Sequence, residues 1–128
     1  MSFINKIFGI TKNKKEEKVL PWITLTSLDQ LKTIVDKSKV KTQVIFKHST
    51  RCGISRMVKR QFEKQYNLDG EADLYYLNIL KYRDISNDIA KRFGVYHESP
   101  QLLIINNGVV VKHDSHGSIN DLDIEKFV

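Results

Sequence analysis

The sequence holds one cysteine, two prolines and one tryptophan in 128 residues. A single thiol cannot close an intramolecular disulfide, so the fold must rest on packing alone, and a lone thiol is most easily kept reduced inside the cell. No run of about 18 apolar residues occurs, which excludes a spanning helix. The N-terminus has neither the long apolar core nor the small-residue cleavage site of a secretory signal. These absences predict a cytoplasmic protein without integral membrane association. Internal repeats and long low-complexity segments are also missing, and 41% hydrophobic residues over this length suit one core and one domain.

The net charge of +6 raises the question of a nucleic-acid partner. Its distribution argues against one. Lys6, Lys12, Lys14, Lys15 and Lys18 against Glu16 and Glu17 place +3 of that excess in the first 18 residues, and the rest is scattered. Residues 1–19 combine Phe3, Ile4, Ile7 and Phe8 with this charged run. They read as a basic, amphipathic and flexible extension ahead of a domain at 20–128.

From Trp22 onward the pattern alternates between strand-like and helix-like segments. Trp22 to Leu25 is a short extended piece. Ser27 reads as a helix cap, followed by Leu28, Leu31, Ile34 and Val35 on one helical face ending near Lys39. Thr42 to Lys47, with Val44, Ile45 and Phe46, is a continuous apolar run that suits a buried strand. Ile54, Met57, Val58, Phe62 and Tyr66 keep helical spacing up to the break at Asn67 to Gly70. Ala72 to Leu80 predicts a strand, and Asp84 to Phe93 a helix closed by Gly94. Gln101 to Ile105 and Val109 to Lys112, joined through Asn106, Asn107 and Gly108, form the strongest hairpin signal. Ser118 or Asn120 is expected to cap a short terminal helix carrying Leu122, Ile124 and Phe127. This order predicts an α/β fold, a mixed central β-sheet with helices on both faces.

Cys52 falls between the apolar strand and the next helix. A thiol reacts as its thiolate, and a free pKa of about 8.5 leaves only a small ionised fraction at neutral pH. Unpaired N–H groups and the dipole at a helix start favour the anion. Arg51 and Arg56 add positive charge nearby, with Lys47 and His48 further candidates upstream. A filler cysteine would fit better in mid-strand. Ser55 stands where a dithiol protein has its second cysteine, so the available chemistry is monothiol exchange with an external thiol as resolver. Two roles remain open for Ser55, a hydrogen bond to the thiolate or a plain early-helix polar residue. His97, His113 and His116 lack a matching cysteine pair or carboxylate cluster, so no metal site is expected.

The segment Cys52-Gly53-Ile54-Ser55 after a strand, with Ser99-Pro100 before a hairpin, resembles the thioredoxin superfamily over residues 21–128. Lys47-His48-Ser49-Thr50-Arg51-Cys52-Gly53-Ile54-Ser55 and Ser99-Pro100-Gln101 look more closely like the YtxJ family of monothiol bacilliredoxins. That resemblance implies a thioredoxin-like fold with Cys52 as nucleophile and Pro100 as a cis-proline facing it. Thr50, Arg51, Gly53, Ile54 and Ser55 would support the site, and Lys47, Arg56, Ser99 and Pro100 would contact the thiol ligand. It implies removal of bacillithiol from protein mixed disulfides during oxidative stress. Bacillithiol would be a low-molecular-weight cosubstrate, bacillithiolated proteins the partners, and the protein a monomer without bound cofactor. Because Cys52-Gly53-Ile54-Ser55 also resembles the quartet of monothiol glutaredoxins, an iron–sulfur cluster carrier is an alternative. The loop at 48–51 lacks that family's prolines. A redox-sensing adaptor with a thioredoxin fold is a further alternative.

Overall fold

A computed structural model describes residues 19–128. The expected amphipathic extension lies outside the described residues, apart from the exposed Val19. Five strands, β1 (Ile23–Thr24), β2 (Thr42–His48), β3 (Ala72–Asn78), β4 (Gln101–Asn106) and β5 (Val109–Ser115), form one sheet in the order β1-β3-β2-β4-β5. The β1–β3 and β2–β3 pairs are parallel, whereas β2–β4 and β4–β5 are antiparallel. Three helices, α1 (Asp29–Lys37), α2 (Gly53–Gln65) and α3 (Arg83–Phe93), connect the strands.

Every residue of β2 is buried, because β2 is the middle strand and both faces of the sheet are covered. On one face Val44, Phe46, Leu102 and Ile104 meet Val58 and Phe62 of α2 together with Ile119 and Ile124. On the other, Ile45, Leu77 and Leu103 meet Leu31 and Ile34 of α1 and Ile85 and Ile89 of α3. The alternation along β2 thus assigns odd and even residues to different layers, with Lys47 on the α3 side and His48 on the α2 side.

The expected elements form, and the departures have local causes. Ser27 provides no side-chain cap. Instead the Gln30 carboxamide oxygen accepts the Thr26 and Ser27 N–H groups at 2.7 and 3.0 Å. The strand expected to reach Leu80 ends at Asn78, whose Oδ1 accepts the N–H groups of Leu80 and Lys81 and turns the chain. In the hairpin, Asn107 and Gly108 sit at φ 52° and 81°, as a tight turn between twisted strands requires. The expected terminal helix is replaced by two 3₁₀ segments, His116–Asp121 and Ile124–Phe127, separated by an extended Leu122. Gly117, Ser118, Asn120 and Asp121 are weak helix formers, and so short a segment cannot recover the cost of nucleation. The segment is pinned by tertiary bonds instead. The Phe127 carbonyl accepts from Thr42 Oγ1 and Asn106 Nδ2, both at 2.9 Å.

Candidate functional site

Three connections meet at one end of the sheet. β2 ends at His48 beside Asn78 of the parallel β3, while Lys47 of β2 pairs with Gln101 at the start of the antiparallel β4. The 49–52 loop, the turn after Asn78 and the segment ending in Pro100 therefore share that end. The Ser99–Pro100 peptide bond is cis.

Cys52 is the N-cap residue of α2, extended at φ −102° and ψ 121°, with its thiol half-buried. Its N–H donates to Ser49 O at 3.2 Å, and its carbonyl accepts the Arg56 N–H at 3.1 Å. No side chain occupies the cap, and the first turn of α2 carries no acidic residue. The Cys52 side chain makes no cap bond of its own, and the helix start that follows it carries no carboxylate to compete for the first-turn N–H groups. Arg56 folds back so that Nη1 donates to Thr50 O at 3.1 Å, tying the loop to the helix. Thr50, Arg51 and Gly53 are exposed around the thiol, and Ile54 presents an apolar surface that is 56% exposed.

Ser55 points inward and is fully buried. Its Oγ accepts the Ser49 N–H at 3.1 Å and lies 2.7 Å from His48 Nδ1. The two bonds occupy the hydroxyl, so Ser55 braces the loop instead of facing the sulfur. Burial, followed by the charges of Lys59 and Arg56, holds the His48 imidazole below its ordinary pKa of 6.5, against an opposing pull from Glu63. Burial and both cations thus disfavour a charged His48, a further candidate for positive charge near the thiol.

Lys47 also departs from expectation. It was expected at the thiol-ligand surface, yet it is fully buried on the α3 side of the sheet. Its Nζ donates to Ser86 O at 3.2 Å and lies 3.3 Å from His97 Nδ1. Burial lowers its pKa from 10.5 to about 8. An ammonium with no exposed surface on that side cannot hold a solvent-borne carboxylate. Ser99 stays near the site with its Oγ buried and lacking a hydrogen-bond partner among the described residues.

Sequence reasoning missed the face of α2 beyond Arg56. Lys59 bonds Glu63 Oε2 at 2.7 Å, Trp22 Nε1 donates to the same oxygen at 2.7 Å, and the Lys59 ammonium lies 5.3 Å from the Trp22 ring centroid. The three- and four-residue spacing of Arg56, Lys59, Arg60 and Glu63 was a legible signal that these side chains share a face. The Lys47–Ser86–His97 cluster had no such signal, since its members are up to 50 residues apart.

The chain matches a family model described as monothiol bacilliredoxin BrxC over residues 23–124. It is similar to a solved structure described as a candidate oxidoreductase with a thioredoxin fold. The two share 39% identity over 77% of this chain and 85% of the other, with a TM-score of 0.67. Thioredoxins of Schistosoma mansoni (21% identity, 84% and 98% coverage, TM-score 0.63) and Malassezia sympodialis (22%, 81% and 82%, 0.58) share the fold. The architecture is thus thioredoxin-like. Among the described residues, no helix is long and apolar enough to cross a membrane.

Proposed function

Because the chain belongs to the monothiol bacilliredoxin family, we propose that this redox protein removes bacillithiol from mixed disulfides on protein cysteines. The observation that carries this reading is the only sulfhydryl in the sequence, placed at the start of α2 while a buried hydroxyl fills the position of a second thiol. In the first step the Cys52 thiolate attacks the bacillithiol sulfur of the mixed disulfide. The Cys52–bacillithiol bond forms, the client's disulfide bond breaks, and the client sulfur leaves as a thiolate that takes a proton from water. A second bacillithiol, as its thiolate, then attacks the adduct, giving bacillithiol disulfide and free Cys52. No net electrons pass to the protein over the cycle.

The first-turn N–H groups of α2 support the thiolate both as nucleophile and as leaving group. Arg51 and Arg56 supply cationic surroundings, while Ser99 and Pro100, with the rest of the 95–100 segment, form the opposite wall for an extended thiol ligand. The partners in this reading are bacillithiolated proteins of the cytoplasm, and no cofactor stays bound. Intact-mass spectrometry of reduced protein mixed with a bacillithiolated model peptide tests it. The expected result is adduct on Cys52 with regenerated peptide thiol, abolished in Cys52→Ser. Turnover by Cys52→Ser, or no transfer by the wild type, refutes it.

A further inference from the structure

On the α2 side of the sheet, His48, Arg56, Lys59, Arg60 and Glu63 line an open groove of about 200 Å³. The Ser55 contact fixes what His48 offers there. Ser55 Oγ already accepts from Ser49 N–H, and its own proton is buried. If it also accepted from His48 Nδ1–H, that proton would have no acceptor, which is costly in a buried site. The hydroxyl therefore donates to Nδ1, the imidazole is neutral, and its proton sits on Nε2. With Nδ1 engaged inward, the ring has only a donor left for the groove. Burial and the two nearby cations disfavour the imidazolium, in keeping with this tautomer.

The walls are donors as well. Arg56 spends Nη1 on Thr50 O and keeps its other guanidinium N–H groups, and Arg60 is exposed and makes no ion pair among the described residues. Glu63 is the one carboxylate lining the groove among the described residues, and Lys59 together with Trp22 Nε1 already holds it. Three cations against one anion leave an excess of two positive charges in a donor-lined groove. The Glu63 carboxylate, held by Lys59 and Trp22, sits at one end. Arg56 is four residues from Cys52, about 6 Å along the helix axis, and Arg60 about 12 Å, so the groove begins within reach of a substituent on the sulfur.

We propose that this groove binds the carboxylates of the small thiol attached to Cys52, and that it selects thiols carrying a dicarboxylate such as the malyl group. The proposal rests on the exchange reaction above, and its volume suits one small acid group rather than a peptide. Arg60 is the discriminating residue, since it is the wall cation with no other partner among the described residues. His48 is held in its donor tautomer by Ser55, which acts as a positioning residue.

The probe is L-malate, titrated into the full chain at low salt while the ring signals of His48 are followed by NMR. Malate at millimolar concentration should move these signals and raise the His48 pKa, because an added anion opposes Lys59 and Arg56. Arg60→Gln should weaken the apparent affinity about tenfold, the effect of losing one charge-assisted contact. A parallel arm compares transfer to Cys52 from model disulfides of bacillithiol and of its malyl dimethyl ester. The wild type should prefer the dicarboxylate at least about tenfold at low salt, and Arg60→Gln should lose most of that preference. Unchanged His48 signals, or transfer without preference, overturn the groove. Absence of transfer from both disulfides, with malate still moving His48, overturns instead the exchange reaction and its link to Cys52.

Discussion

Replacing Lys47 by methionine should make the protein more stable at neutral pH and remove a rise of stability with pH. The folded amine titrates at about 8 and the unfolded one near 10.5, because burial disfavours the ammonium. Between these values the unfolded chain binds more protons, so stability climbs as pH rises and is lowest, for this group, below pH 8. The displacement corresponds to a cost of about 3 kcal/mol at pH 7. Methionine fills a similar volume without the charge. It loses the bond to Ser86 O and the contact with His97, together about 1–2 kcal/mol, so the net gain is about 1–2 kcal/mol at pH 7. For a domain of this size that is a rise in Tm of about 5–10 °C. Tyr66 and Tyr75, both pushed up to about 12 by burial, work in the opposite direction above pH 10, so the informative window is pH 8 to 10. Urea unfolding followed by circular dichroism at pH 7, 8, 9 and 10 measures both quantities. A Lys47→Met protein that is less stable at pH 7, or that keeps the wild-type slope between pH 8 and 10, refutes the reasoning.

Ser55→Ala should cost about 1–3 kcal/mol, since it strands the half-buried Ser49 N–H and the buried His48 Nδ1; unchanged thermal stability would show that the brace is not formed. Gly94 ends α3 at φ 68°, so Gly94→Ala should lower stability by about 1 kcal/mol in the same unfolding assay, while a neutral result would deny the left-handed cap. Trp22→Phe keeps the aromatic packing on Phe46 and Phe62 but loses the indole N–H bond to Glu63. It should therefore destabilise the chain by about 1 kcal/mol at pH 7 in the same unfolding assay, and an unchanged midpoint would deny the bond.

The layers of this fold were legible because they depend on short-range periodicity. Val44 to Phe46 announce a strand covered on both faces, and Asn106-Asn107-Gly108 dictates a hairpin whatever else the chain does. Cys52 could be placed at a helix start because the apolar run before it and the helical spacing after it leave no other position. The fate of the polar residues was harder to read. Lys47 and His48 are adjacent in sequence and share a formal charge class, yet strand alternation sends one side chain toward Ser86 and the other toward Ser55. Which face receives which side chain is settled by the packing of α2 and α3, and no local pattern encodes it. The terminal segment failed for the opposite reason. Leu122, Ile124 and Phe127 do carry helical spacing, but the bonds from Thr42 and Asn106 to Phe127 override it.

The hydroxyl of Ser55, bonded to the loop it braces, has a kinetic consequence. In the exchange proposed above, a group captured on Cys52 meets no second thiol in the chain, so it stays until another molecule attacks it. Its residence time is set by the concentration of free thiol outside, and discharge is first order in that thiol at any protein concentration. The loaded fraction of the protein then behaves as a gauge, filling when oxidised partners outnumber free thiol and emptying when the balance reverses.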